Sequence, residues 1–551
     1  MLIHDQECAT EKRRKRKRGT LASPGTKVFI NELICEGCGD CGKKSNCLSV
    51  QPVPTEYGRK TRIHQASCNV DYSCLEGDCP AFMTVTGAST TRAQALATPV
   101  LESTELTDPA PCVPVDGFGV RLTGVGGTGV VTVSQVLATA ALIAGWSARS
   151  LDQTGLAQKG GAVVSDIRFD RFGRGLSNKL ADGECDLYLG CDILVAADPV
   201  NLKAASPERT VGVLNTAEVA TGRMVSDVRQ TFPNIAETAD RVGARVRPGV
   251  AMLDARALAV GLFGDDQYAN LLMVGVGFQL GALPLPATAV EEAIRLNGVA
   301  VDRNLQAFRY GRMWVLDPVR VTRAASGGLD MADLRDGPAG PGLRPLVTHR
   351  AEELVAYQDR TYAEEFRRAV ENVRLAEERI VPGTTKLAET VARHLFKLMA
   401  YKDEYEVARL ALDPRVEREL RTQFGPGARA QWNLHPPVLR AMGMDRKLRL
   451  GPWFRPAFST LYRLRRLRGT RLDPFGRAHV RVVERELVTE YLALLDDLTG
   501  HLTPDNHATA VELAALPDLV RGYEEVKLGN VEIYRARMAE LRARFVAIPR
   551  A

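Results

Sequence analysis

At 551 residues the chain is too long for a single hydrophobic core and calls for about three domains. Its 45% hydrophobic and 25% charged content is that of ordinary soluble globular protein. The longest apolar-leaning stretch, ANLLMVGVGFQLGALPLP (269–286), is broken by glycines, a glutamine and prolines, and falls short of the roughly 20 apolar residues that a membrane span needs.

The first segment, MLIHDQECATEKRRKRKRG, has no apolar region of the signal-peptide kind, so a cytoplasmic location is expected. The net charge of +6 is uneven, since Lys12 to Arg18 are seven basic residues in a row. Such runs can bind nucleic acid or serve as import signals. No aromatic residues are interleaved for base stacking, so the run reads as a solvated arm (1–26) that meets an acidic surface of its own protein.

Residues 27–94 form a cysteine module. Seven of the eleven cysteines lie between Cys35 and Cys79, and the last 360 residues contain none. In a reducing compartment that clustering favours metal over disulfides. The spacing is C-x2-C-x2-C-x5-C at Cys35, Cys38, Cys41 and Cys47, then Cys68, Cys74 and Cys79 followed by Pro80. Zinc sites usually pair two C-x2-C knuckles, or one knuckle with histidines. Three cysteines at consecutive x2 intervals instead match the bacterial ferredoxin run, whose proline-flanked cysteine ligates the other cluster. By that pseudo-symmetry Cys35, Cys38, Cys41 and Cys79 hold one 4Fe–4S cluster. Cys47, Cys68 and Cys74 are left one ligand short of a second, where Asp71 restores the x2 spacing as a carboxylate ligand or a three-iron cluster forms. A zinc-stapled module stays open as the alternative.

A stretch rich in Thr, Pro and Ala (95–117) reads as a linker. From 118 to 322 the pattern is α/β. Candidate strands are GVRLTGV (119–125), SARSLD (147–152), AVVSDIRF (162–169), CDLYLG (185–190), DILVAA (192–197) and RTVGVLN (209–215), with a helix over VVTVSQVLATAALIAG (130–145). Strands alternating with helices predict a doubly wound sheet. Gly124, Gly126 and Gly129 form G-x-G-x-x-G after a strand and before a helix, and Asp152 ends the next strand where a ribose-binding acid would lie. This fits NAD or FAD, a loop whose amides receive another anionic group, or close packing on the sheet. A Gly- and Pro-rich break (323–345) then leads to a mostly α-helical domain (346–551), in which Tyr362, Phe366, Ala369, Val370 and Val373 share one helix face.

QKGGAVVSDIRF (158–169) puts a second glycine pair before a strand, and EEAIRLNGVAVDRNLQAFRYGR (291–312) closes the region. In these blocks the chain resembles the γ-type catalytic domain of 2-oxoacid:ferredoxin oxidoreductases, which has GxGGxG after a strand, an RGG-type turn and an N…AF…G segment. Lys159 stands where that turn has arginine, as in the indolepyruvate ferredoxin oxidoreductase branch. The cysteine module, the basic run and the helical C-terminal domain also resemble the long fused form of that branch, so the resemblance covers nearly all of the chain.

The resemblance implies the electron-transfer and γ portion of an enzyme that oxidatively decarboxylates a 2-oxoacid with CoA as cosubstrate and ferredoxin as acceptor. It implies thiamine diphosphate and Mg2+ as cofactors, but the GDG…NN motif that carries them is absent and no NN dipeptide occurs. They are therefore expected on a partner chain, in an oligomer. Gly124, Gly126, Gly127 and Gly129 would shape a loop facing the active site or the CoA phosphates, with Gln158, Lys159, Gly160 and Gly161 lining the same cleft. No residue is singled out as catalytic, and neither a membrane nor a nucleic-acid partner is expected. The competing readings are a ferredoxin-fused NAD- or FAD-dependent reductase using Gly124 to Gly129 and Asp152, and a non-catalytic electron-carrier subunit.

Overall fold

The computed structural model describes residues 7–77, 79–88, 99–155, 160–174, 177–326, 342–435, 443 and 447–547. They form two compact units, each with its own core. One comprises residues 1–90, 225–229 and 335–551, and the other 91–224 and 230–334.

The second unit is built on a six-stranded mixed sheet. Its strands are β5 (Gly117–Val125), β6 (Ser147–Thr154), β7 (Ala162–Asp170), β8 (Leu187–Gly190), β9 (Val211–Asn215) and β10 (Ala251–Leu253). Their order across the sheet is β10-β9-β8-β5-β7-β6. β10, β9, β8 and β5 run parallel, while β7 is antiparallel to both β5 and β6. Leu187 and Leu189 on β8 and Val120 and Leu122 on β5 are fully buried. Helices cover such apolar strands, as parallel sheets require. The expected strand over 192–197 is instead a short helix, Ile193–Ala196. The Asp192 carboxylate accepts hydrogen bonds from the Leu194 and Val195 amides at 3.0 and 2.9 Å and caps it. Apolar runs this short do not separate strand from buried helix by periodicity; here the cap decided.

Helix Ala269–Gln279 is buried along its whole length and packs against helix Val301–Leu316. Two glycines permit that contact. A Cβ on Gly311 would sit 1.9 Å from the Leu272 carbonyl oxygen, and one on Gly275 would sit 2.1 Å from that of Phe308. Beside them Arg312, 1% exposed, lies over the Phe278 and Phe308 rings and donates to Gln279 and to Asp108, each at 2.9 Å. Arg309 and Gln306 donate to the Leu101 carbonyl and Tyr310 to that of Pro99. The aperiodic stretch from 99 is therefore held on this unit by polar side chains, a contact that no hydrophobic period announces.

The first unit contains a four-stranded sheet ordered β1-β4-β11-β12 and a β2–β3 hairpin. β1 (Thr26–Ile30) and β4 (Phe82–Thr86) flank the cysteines, and β2 (Val50–Thr55) and β3 (Gly58–Ile63) lie between them. β11 (Arg429–Leu434) and β12 (Leu448–Leu450) come from the otherwise helical C-terminal region. β11 pairs antiparallel with β4, with Trp432 opposite Met83. The C-terminal helices form a separate apolar cluster in this unit, in which Phe366, Val370 and Val373 of helix Arg360–Ile380 meet Leu395 and Tyr491. No helix among the described residues is long and apolar enough to cross a membrane.

Gly311→Ala is expected to cost at least about 2 kcal/mol, because the new methyl meets backbone rather than a movable side chain. The apparent thermal midpoint should fall by roughly 4–8 °C. An unchanged midpoint in a calorimetric scan would contradict this packing.

Candidate functional site

The first cysteine loop is set by its backbone. After β1, the Asn31 side-chain oxygen accepts from the Leu33 and Ile34 amides at 3.0 and 3.4 Å, and the Asn31 amide bonds the Ala81 carbonyl at 2.8 Å. The chain then passes through Gly37 and Gly39 at φ of 62° and 78°, where L side chains are strained, into helix Asp40–Ser45 carrying Cys41. The Gly37 amide points back to Cys35 Sγ at 3.3 Å. Cys35, Cys38 and Cys41 line one small cavity of about 20 Å³ together with Cys79, which approaches just ahead of β4, and with Ile30 and Phe82. All four thiols are free of disulfides. Burial, with the other sulfurs as neighbours, pushes the Cys38 thiol up to about 11 and moves Cys41 and Cys79 in the same direction.

The second half repeats this geometry with different residues. The Val70 amide points to Cys68 Sγ at 3.4 Å, and Val70 and Tyr72 take φ of 55° and 64°. Cys68, Val70 and Tyr72 thus follow the pattern of Cys35, Gly37 and Gly39. Asp71 falls at the position of Cys38, and Cys74 at that of Cys41. Holding two non-glycine residues in the left-handed region costs roughly 1–2 kcal/mol each, so surrounding contacts must impose it. Burial, with Cys68 and Cys47 as charged neighbours, raises the Cys74 thiol to about 12. The Asp71 carboxylate accepts from the Ser73 amide and hydroxyl at 3.2 and 2.9 Å. Among the described residues no three His, Cys, Asp or Glu side chains are spaced to hold a single metal ion.

Cations from distant segments of the same unit hold both loops by their carbonyls. Lys60 on β3 donates to the Cys35 carbonyl at 2.7 Å, and Lys402 donates to it at 3.1 Å while pairing with Glu36 at 2.7 Å. Arg521 bonds the Glu36 and Arg59 carbonyls, each at 3.1 Å, and the Tyr523 hydroxyl that of Ile34 at 2.6 Å. Burial opposes ionisation of Glu36, but Lys402, Lys527 and Lys60 outweigh it and hold the carboxyl well below its ordinary range. On the second loop Arg13 and Arg16 donate to the Ser67 and Asn69 carbonyls at 3.3 and 2.6 Å, and Lys447 to those of Leu75 and Gly77. The basic run, expected to meet an acidic surface, meets backbone oxygens here. Sequence reasoning passed over Lys402, Lys447, Arg521 and Tyr523, which carry no local motif.

In the other unit, β5 leads through the glycine loop into helix Val130–Ile143. A Cβ on Gly124 would meet Val130 Cγ2 at 2.6 Å, so packing alone demands that glycine. Gly127 and Gly129 face open space but sit at φ of 88° and 93°, where conformation demands them. The Gly126 amide bonds the Gly161 carbonyl at 2.7 Å and the Gly160 amide bonds the Gly126 carbonyl at 3.2 Å, which brings the two glycine turns together. Gln158 and Lys159 lie outside the described residues. The loop sits at the C-terminal end of β5, with the uncapped amides of a 14-residue helix behind it, the usual ligand end of an α/β sheet.

Residues 119–314 match the family model "Pyruvate ferredoxin/flavodoxin oxidoreductase", and residues 343–540 match a family of unknown function. "Indolepyruvate oxidoreductase subunit IorB" of Pyrococcus horikoshii is 30% identical over 199 residues, which are 35% of this chain and 94% of that protein. The chain belongs to the IorB family of indolepyruvate oxidoreductase subunits. The IorB protein of Archaeoglobus fulgidus is 29% identical, covering 35% of this chain and 93% of its own length. Among solved structures, the pyruvate oxidoreductase subunit PORC of Thermotoga maritima is similar with a TM-score of 0.27 and 20% identity, over 36% of this chain and 96% of that one. The IorB-type chain is thus an oxidoreductase component, the γ-type part of a 2-oxoacid:ferredoxin oxidoreductase.

The sheet order tells against the dinucleotide reading. A dinucleotide site needs its ribose-binding acid on the strand beside the glycine loop. In this IorB-type sheet the antiparallel β7 separates β5 from β6, which carries Asp152, and the Asp152 carboxylate is taken by the Ser165 hydroxyl at 2.5 Å. The sequence offered no sign of that inserted strand order.

Gly127→Ala should cost only about 1–2 kcal/mol of left-handed strain, whereas Gly124→Val, driven into Val130, should cost more, about 2–4 kcal/mol. Denaturant midpoints of the two variants check the order, and equal losses would mean the loop is packed on both sides.

Proposed function

We propose that this chain conducts electrons from a 2-oxoacid-derived intermediate on a partner chain to ferredoxin, through iron–sulfur clusters held in residues 27–94, a ferredoxin-like module. The observation that carries the reading is the convergence of Cys35, Cys38, Cys41 and Cys79 on one cavity. Four thiols lining one cavity with no disulfide among them are a donor set that fits a 4Fe–4S cluster. Cys47, Cys68 and Cys74, with Asp71 at the fourth position, fit a second cluster in the repeated loop. Such clusters supply one-electron transfer at a potential set by their surroundings.

The chain's own residues supply those surroundings. Amides of Gly37 and Val70 point at sulfur. Lys60 and Lys402 place ammonium groups against the Cys35 carbonyl, where they favour added negative charge. The IorB-type domain (118–322), by its kinship with indolepyruvate oxidoreductase subunits, contributes the glycine loop Gly124 to Gly129 and the turn Gln158 to Gly161. There amides and Lys159 would receive an anionic group such as the CoA phosphates. Thiamine diphosphate and Mg2+ belong to the partner chain in this reading, and an indolepyruvate-like 2-oxoacid is the substrate. The chain works in a cytoplasmic oligomer, with 95–117 and 323–345 as connections and 346–551 as a helical domain.

Anaerobic reconstitution with iron and sulfide should load about four iron atoms per complete cluster. Cys79→Ser should remove one cluster from the iron count and from the reduced-state electron paramagnetic resonance spectrum, while Cys112→Ser leaves both unchanged. A Cys79→Ser protein with the full wild-type iron content and spectrum would overturn the assignment. Asp71→Ala should alter only the signal of the second cluster.

A further inference from the structure

The C-terminal region does more than brace the cysteine loops. Within the first unit, side chains from β3 and its turn, from helices Leu343–Tyr357 and Lys386–Met399, and from the stretch around Arg521 enclose a pocket of about 130 Å³. Among the described residues eight cationic side chains line it against five carboxylates. Four of those carboxylates are committed. Glu36 pairs with Lys402 at 2.7 Å, Glu353 and Glu406 with Arg409 at 2.8 Å each, and Asp518 with Arg521 at 2.5 Å.

Two of the deepest cations have no such partner. Arg350 is 2% exposed, lies over the Tyr57 ring at 4.0 Å, and donates from Nη2 to the Glu56 carbonyl, but among the described residues its Nε and Nη1 have no hydrogen-bond partner. Lys60 is 6% exposed and, among the described residues, donates only to the Cys35 carbonyl and has no carboxylate within ion-pair distance. Among the described residues His394 Nδ1, also in the lining, lacks a hydrogen-bond partner as well, and Glu56 Oε2 accepts no hydrogen bond, with His349 Nε2 at 3.4 Å. Buried unpaired charge and orphaned donors each cost kilocalories, so a pocket that gathers them is built around something. Burial and neighbouring cations drive Lys397 down to about 7 and His394 to about 4, as expected where cationic groups crowd a buried pocket.

We propose that this pocket is a binding site for a small phosphate-class oxyanion, free inorganic phosphate or the phosphate of a small ester. The unsatisfied set is the Arg350 donors and the His394 ring nitrogen, a donor in its Nδ1-protonated tautomer, with an acceptor at Glu56, whose Oε2 also faces His349 at 3.4 Å. A hydrogen phosphate or phosphomonoester carries acceptor oxygens for the former and an O–H for the latter, whereas a dicarboxylate ionised at both ends has no proton to give. The volume of about 130 Å³, near the roughly 150 Å³ of a cavity that holds benzene, accommodates an ion of phosphate size. The site stands on these residues whether or not the cysteine loops carry clusters.

The test is calorimetric titration of the full chain with inorganic phosphate, methyl phosphate and oxalate at constant ionic strength. Saturable phosphate binding is expected, weakened at least tenfold by Arg350→Gln and by Lys397→Met, with oxalate much weaker. Methyl phosphate binding as well as phosphate points to an ester as the natural occupant, and phosphate alone to the free ion; either supports the site. Should Arg350→Gln fail to fold, Lys397→Met and the wild-type titration still decide. Absence of saturable phosphate binding into the millimolar range overturns the proposal, as does binding unchanged in the folded variants, or oxalate binding as tightly as phosphate.

Discussion

The pairing of β4 with β11 is the constraint on which the first unit depends. Gln431 meets Thr84 across a ladder that joins positions almost 350 residues apart. Closing so long a loop costs conformational entropy that rises only slowly with length, and burial of Val85, Met83 and Trp432 along the seam offsets it. β4 lies immediately after Cys79 and pairs on its other side with β1, which leads to Cys35. One sheet therefore fixes both ends of the thiol cavity and brings the C-terminal helices to its side.

Once that sheet is closed, the electrostatics follow. The loops carry their sulfurs on backbone that turns inward, which leaves carbonyls to be satisfied from outside. Lys402, Arg521 and Tyr523 satisfy the first loop, and Lys447, Arg13 and Arg16 the second. A cationic surround of this kind creates surplus positive charge nearby, which explains why an unneutralised pocket lies directly beyond Lys60 and Lys402. The two features are consequences of one arrangement.

The γ-type unit solves a different problem. Its glycine loop presents helix amides at the strand ends, and the close crossing of helices Ala269–Gln279 and Val301–Leu316 at Gly275 and Gly311 supports the sheet beneath it. The buried Arg121–Asp166 pair, bidentate at 2.6 and 2.7 Å, ties β5 to β7 and so holds the inserted antiparallel strand against the loop. Removing one partner of such a pair leaves a buried charge, so the pair fixes register more than it adds stability.

What the sequence determined by itself was local. Cysteine spacing, glycines before a helix and apolar periodicity are short-range signals, so the cysteine loops, the glycine loop and the long C-terminal helices were legible, as was the family. The alternation of strands was legible too, but not their order, because β7 enters between β5 and β6 through contacts on both edges. QWNL at 431–434 is too short and too mixed to read as a strand, and only its partner β4 makes it one. The orphaned guanidinium of Arg350 and the ammonium of Lys60 carry no pattern at all: they become a site only when segments hundreds of residues apart bury them together, where the low-dielectric interior turns unpaired charge into a demand for an anion.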